Sequence, residues 1–116
     1  MSEIKKLTEK INQFNAERDW DQFHAPKDLA LSLVLEAAEV LEHFQWKTNE
    51  EFAVYLKTHK EDIADELGDV MNYLLQLADA MDIDIMDASR KKMEKNAKKY
   101  PVEKAKGSAK KYTELK

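Results

Sequence analysis

The chain has 116 residues with 19 basic and 23 acidic side chains, a net charge of −4, two glycines, two prolines and no cysteine. That length supports one domain with a modest core, and the absence of cysteine excludes disulfides and thiolate chemistry. Few glycines among many Leu, Ala, Glu and Lys predict an all-helical fold.

Residues 3 to 18 place Ile4, Leu7, Ile11 and Phe14 at helical spacing, which predicts an amphipathic first helix with Ser2 as its N-cap. ERDWDQFHAP follows as an aromatic connector. Pro26 suits the first turn of a second helix, and Asp28 favours its positive end, so this helix is expected to run to Phe44. Thr48 and Glu51 have the form of a capping box, predicting a short helix from Asn49 to Lys57. A separate long helix is expected from Lys60 to Met81, with Ile63, Leu67, Val70, Leu74 and Leu77 as its core stripe. Asp84 is a candidate N-cap for a further helix from Ile85 to Lys99, which Pro101 stops.

These elements predict a four-helix-bundle-like domain over residues 1–101 and a polar tail over 102–116, read as a mobile end. The second helix is apolar nearly all round between Leu29 and Leu35, more than a small solitary bundle can bury, so a homo-oligomer is expected. No stretch is apolar for long enough to span a bilayer, and MSEIKKLTEK lacks the apolar core of a signal peptide. A cytoplasmic protein without membrane contact is the expectation. Acids gather between Glu36 and Asp69 and lysines after Arg90, a distribution unlike the dominant basic face of a nucleic-acid binder.

In LALSLVLEAAEVLEHFQW, residues Leu29, Leu33, Glu36 and Val40 fall within about 60° on the helical wheel. Glu36 thus enters an apolar stripe, with Glu39 on the adjoining flank. Glu66 and Asp69 repeat the spacing on the long helix, with Tyr73 on the same flank. One E-x-x-E pair is ordinarily a solvated face. Two pairs bordering apolar stripes are a different matter, because four carboxylates meeting in a partly dry site must take up protons or a cation. Oxygen donors suit magnesium, with manganese as a substitute, and magnesium accepts phosphate oxygens in its remaining positions. A di-iron bundle is the rival, but it calls for Glu-x-x-His motifs, which His43 directly after Glu42 does not supply. His43 and His59 are expected at the surface. Trp20, Phe23 and Trp46 can stack on a base or fill a core; His24 and Tyr73 can donate hydrogen bonds. Lys92 and Asn96 can face phosphate, whereas Lys91 and Lys95 are expected as surface charge.

EAAE at 36–39 and ELGD at 66–69 resemble the E-x-x-E and E-x-x-D motifs of the all-α nucleoside triphosphate pyrophosphatases, the MazG-like superfamily. The segments ERDWDQFHAPKDLALSLVLEAAEVLEHFQWK and DELGDVMNYLLQLA, the K-x-x-x-N-x-x-K-Y-P pattern from Lys92 to Pro101, and KYTEL at 111–115 are similar to the dCTP pyrophosphatase branch. The resemblance implies a magnesium-dependent pyrophosphohydrolase converting a dNTP (dCTP or a related pyrimidine deoxynucleotide) and water to dNMP and pyrophosphate. It implies an all-α MazG-type fold assembled as a tetramer, a dimer of dimers. The implied metal ligands and catalytic acids are Glu36, Glu39, Glu66 and Asp69. The implied substrate contacts are Trp20, Asp21, Gln22, Phe23, His24, Trp46 and Tyr73, with Lys92 and Asn96 in reach of phosphate. Ile11 stands where relatives of this branch are expected to carry a substrate-contacting histidine, which bears on base and sugar preference. Two other readings are kept: a non-catalytic helical interaction module whose acids form a partner surface, and a metal-dependent phosphohydrolase of another nucleotide.

Overall fold

The structure, a computed structural model, describes residues 2–115; Met1 and Lys116, the two ends of the expected domain and tail, lie outside the described residues. The described residues contain five α-helices and no strand: α1 (Glu3–Glu17), α2 (Pro26–Glu42), α3 (Asn49–Ala80), α4 (Ile85–Lys99) and α5 (Val102–Ala105). They divide into two compact units between Ile83 and Asp84.

In the first unit α2 and α1 both pack on α3. Local chemistry sets the helix ends. The Ser2 side chain accepts from the Lys5 amide, and Thr48 and Glu51 form the complete capping box. Each of the two loops that follow α1 and α3 turns through an aspartate in the left-handed region, Asp19 (φ 55°) and Asp82 (φ 54°). Aspartate tolerates this conformation better than most residues, so both helices stop without a glycine.

The expected break between Lys57 and Lys60 is absent, and the short and long helices are one continuous α3. The segment Thr58-His59-Lys60 has neither glycine nor proline. Thr58 Oγ1 donates to the Tyr55 carbonyl at 3.3 Å, and the His59 ring lies flat on Tyr55 with centroids 3.9 Å apart. Continuing the helix satisfies backbone groups that a break would leave open. The short-helix expectation is thereby corrected at its C-terminal end.

Leu29, Ile63, Leu75 and Ala78 form the small buried core. Beside it Asn15 and Gln76, both buried, share a 2.8 Å hydrogen bond from α1 to α3, and Gln76 Nε2 also donates to the Asn72 carbonyl. The Asn15 carbonyl accepts from the Trp20 amide at 2.9 Å, tying the aromatic connector to the end of α1. At the other end of the unit, Phe44 stacks on Phe52 at 4.1 Å and closes the corner between α2 and α3.

The second unit holds α4, capped by Asp84, then α5 and a short 3-10 turn over Tyr112–Glu114. Tyr112 meets Tyr100 edge-on, with Lys99 Nζ 4.8 Å above its ring. Tyr112, in the segment expected as a mobile tail, thus lies beside the end of α4. Lys91, expected as surface charge, pairs with Asp87 one turn away at 2.8 Å.

Candidate functional site

The two acidic pairs face each other across the α2–α3 contact. Glu36 sits in the apolar stripe of α2, and its carboxyl is held above the ordinary glutamate range. Burial contributes most; the adjacent Glu39, close enough to share a proton, comes next; the charges of Asp69 and Glu66 add to it. Glu36 Oε2 is buried and without a hydrogen-bond partner. A buried, unpartnered carboxylate oxygen among three further acids fits a hard cation chemically. Among the described residues no three acids or histidines converge closely enough to ligate one ion with the side chains as they stand. The donor set therefore fits a divalent cation in kind, and its side chains would have to turn toward one another to hold it.

His43 differs from its expected surface place. Its side chain is 12 % exposed, its Nε2 bonds Glu66 Oε2, and its Nδ1 lies 2.6 Å from the Tyr55 hydroxyl. The reason is spacing: 36, 39 and 43 form an i, i+3, i+7 row on one face of α2, which continues through His43 at its C-cap. Tyr55, His59, Glu66, Asp69 and Tyr73 form the answering row on α3. His59, also expected at the surface, is part-buried against Tyr55.

A second feature adjoins the acids. Asp69, Asn72 and Tyr73 from α3, Trp20 and His24 from the connector, and Leu7, Lys10, Ile11, Phe14 and Asn15 from α1 line a pocket of about 490 Å³. Four of the sequence-predicted residues, Trp20, His24, Asp69 and Tyr73, thus meet in one cavity. Trp20 packs edge-on against Phe14 at 5.6 Å, and His24 Nδ1 is buried without a partner. Ile11 contributes an apolar wall. Lys10 and Asn15 were not singled out by sequence reasoning; the α1 stripe was legible as a core face, and only the tertiary arrangement makes it a pocket wall.

The other predicted contacts stand outside that lining. The 3-10 turn Asp21–Phe23 leaves Phe23 exposed, and Gln22 Nε2 is committed to Asp19, donating to its carbonyl and carboxylate. Trp46 is 96 % exposed and adopts φ 66°, an outlying conformation for so bulky a side chain. It is no core residue of this chain. Lys92 and Asn96 lie on α4 in the second unit, Lys92 exposed and Asn96 half-buried.

The model of the MazG-like family matches residues 31–115. The dCTP pyrophosphatase 1 of Bos taurus is 45 % identical over 105 residues, covering 89 % of this chain, and that of Mus musculus is 46 % identical over the same length. The chain spans 62 % of the length of these curated relatives. A crystal structure of a pyrophosphatase from Archaeoglobus fulgidus superimposes with a TM-score of 0.82 at 38 % identity, covering 87 % of this chain and 94 % of that one. By its all-helical architecture, its paired acids and these similarities, the chain belongs to the MazG-like family.

Proposed function

We propose that this protein is a nucleoside triphosphate pyrophosphohydrolase, acting on dCTP or a related pyrimidine deoxynucleotide and releasing the monophosphate and pyrophosphate. The observation that carries the reading is Glu36: a buried, unpartnered carboxylate oxygen surrounded by Glu39, Glu66 and Asp69, next to an aromatic-walled pocket. The dCTP pyrophosphatase relatives and the archaeal pyrophosphatase support the reaction class.

In this reading Glu36, Glu39, Glu66 and Asp69 hold magnesium, or manganese in its place. When bound, the ion supplies charge neutralisation at the phosphates and acidifies water. The chain's own part is to orient the substrate. Trp20 and Phe14 offer aromatic surface for a base, and the His24 ring nitrogen and the Tyr73 hydroxyl offer polar contacts within the same cavity. Asp69 borders both pocket and acid cluster, so a nucleotide seated on the aromatic wall would carry its phosphates toward the acids. Water attacks the α-phosphorus, the bond to the bridging oxygen breaks, and pyrophosphate leaves. Lys92 and Asn96 are assigned to phosphate contact, and Trp46, Asp21, Gln22 and Phe23 to closing over the bound nucleotide.

The working form is proposed to be a homotetramer, a dimer of dimers, in the cytoplasm. On α2, Leu31, Val34, Leu35 and Leu41 are exposed, as are Val54, Leu67, Met71 and Leu74 on α3; so much apolar surface on one small chain calls for partner copies. No helix among the described residues is long and apolar enough to cross a membrane.

The test is incubation with each dNTP and magnesium, following products. Equal amounts of dNMP and pyrophosphate are expected, fastest with a pyrimidine deoxynucleotide. Orthophosphate as the product would favour another phosphohydrolase. Absence of both turnover and nucleotide binding would favour a helical interaction module.

A further inference from the structure

We propose that His43 is a positioning residue: braced by Tyr55, it fixes the Glu66 carboxylate in the orientation from which the acid cluster takes up a divalent cation. The inference rests on the pyrophosphohydrolase reading above and assigns residues that the acidic motifs do not contain.

The geometry defines one chain of hydrogen bonds. In the tautomer that carries its proton on Nε2, His43 donates to Glu66 Oε2. Nδ1 of that tautomer accepts, and the Tyr55 hydroxyl donates to it at 2.6 Å. Tyr55 is itself immobilised. His59 lies flat on one face of its ring at 3.9 Å, and Lys47 Nζ sits 4.2 Å from the ring centroid. Phe52, stacked on Phe44, approaches at 6.2 Å. The brace therefore runs from the closed α2–α3 corner through Tyr55 and His43 to a single oxygen of Glu66.

This arrangement serves cation uptake. A glutamate on a helix has three rotatable bonds, and freezing them costs entropy when an ion binds. His43 fixes them beforehand while engaging Oε2, leaving Oε1 to a ligand. Hydrogen-bonded partners of metal-ligating groups typically contribute about 10–100-fold in metal affinity or activity.

The experiment is a titration of the full-length protein with Mn²⁺ alone, reading free Mn²⁺ by electron paramagnetic resonance, alongside the magnesium requirement of dCTP turnover. His43→Leu is expected to weaken Mn²⁺ binding by about 10–100-fold and raise the magnesium requirement equally, with turnover largely restored at saturating magnesium. His43→Gln, whose amide N–H can still donate to Glu66, should recover much of the affinity. Tyr55→Phe, which removes one hydroxyl and little packing, should weaken binding in the same direction by a smaller factor. Unchanged or tighter Mn²⁺ binding in a folded His43→Leu protein, while Glu36→Gln loses it, overturns the positioning role and leaves the acid site standing. Failure of a folded His43→Gln protein to bind better than His43→Leu also overturns it. Unchanged binding in both His43→Leu and Glu36→Gln overturns the site and the positioning role together.

Discussion

The two acidic pairs have the same spacing on their helices and opposite company. Glu66 on α3 is engaged: His43 holds one oxygen, and Asp69, its neighbour one turn on, opens onto the pocket. Glu36 on α2 has a buried oxygen with no partner, and its nearest neighbour is another acid, Glu39. The difference comes from what each helix faces. α3 meets the C-terminal turn of α2, which supplies a histidine, whereas Glu36 lies in a stripe of leucine and valine that supplies no donor. Equally spaced acid pairs thus form one settled and one unsettled half, and the unsettled half is where a cation has most to offer.

The largest expected effect breaks the unsettled half. Glu36→Gln should lower magnesium-dependent turnover of dCTP by more than about 100-fold, beyond the range typical for residues that only support a ligand. The same variant should remain helical, because a neutral amide relieves the repulsion that Glu36 now experiences. Steady-state kinetics and circular dichroism check both halves of that statement.

Trp46→Ala sharpens the comparison by leaving both pairs intact. Base stacking contributes about 1–3 kcal/mol, which corresponds to about a 5- to 150-fold rise in the substrate concentration needed. The magnesium requirement should stay put. A shift in that requirement, measured by titrating magnesium at saturating dCTP, would tie Trp46 to the acids rather than to the base.

Gln76→Leu perturbs the fold rather than the site. It removes the partner of Asn15 and leaves a buried amide unsatisfied, a loss of about 1–3 kcal/mol in a urea or thermal unfolding measurement. Metal affinity of the folded variant should be unaltered, in contrast to the acid and histidine variants.

The smallest effect is a pH slope. The folded chain holds the Glu36 proton more tightly than the unfolded chain does, so the favourable contribution is complete below the ordinary glutamate value. It is lost as pH rises from that value through the raised one. Metal-free protein should therefore melt at progressively lower temperature across that interval. Glu36→Gln should flatten this part of the slope, and differential scanning calorimetry at stepped pH reads it.

Much of this arrangement is legible in the sequence where the signal is local. Ser2, Thr48 with Glu51, and Asp84 declared helix starts, because a cap satisfies backbone amides within three residues. The apolar stripe around Glu36 exposed the acid as misplaced. Legibility failed where the decisive contact was distant. Nothing near Thr58 announces that α3 continues, since neither a cap nor a breaker is present and neighbouring packing decides. His43, directly after Glu42, does not fit a Glu-x-x-His motif, although its i+4 relation to Glu39 and i+7 relation to Glu36 put it on the acidic face. Tyr55 lies eleven residues before Glu66 in the chain, and only the antiparallel closure of α2 on α3 makes it a partner. Lys10 and Asn15 border the apolar stripe of α1 on opposite sides, and only the fold makes them part of a cavity wall.

Attack of water at the α-phosphorus is tested most directly by running the reaction in water enriched in oxygen-18, with dCTP and magnesium, and weighing both products. Attack at the α-phosphorus places one labelled oxygen in dCMP and none in pyrophosphate, with the two products formed in equal amounts and neither formed in the presence of a chelator. Label in pyrophosphate, orthophosphate as the released product, or no products from any of the four dNTPs would contradict it.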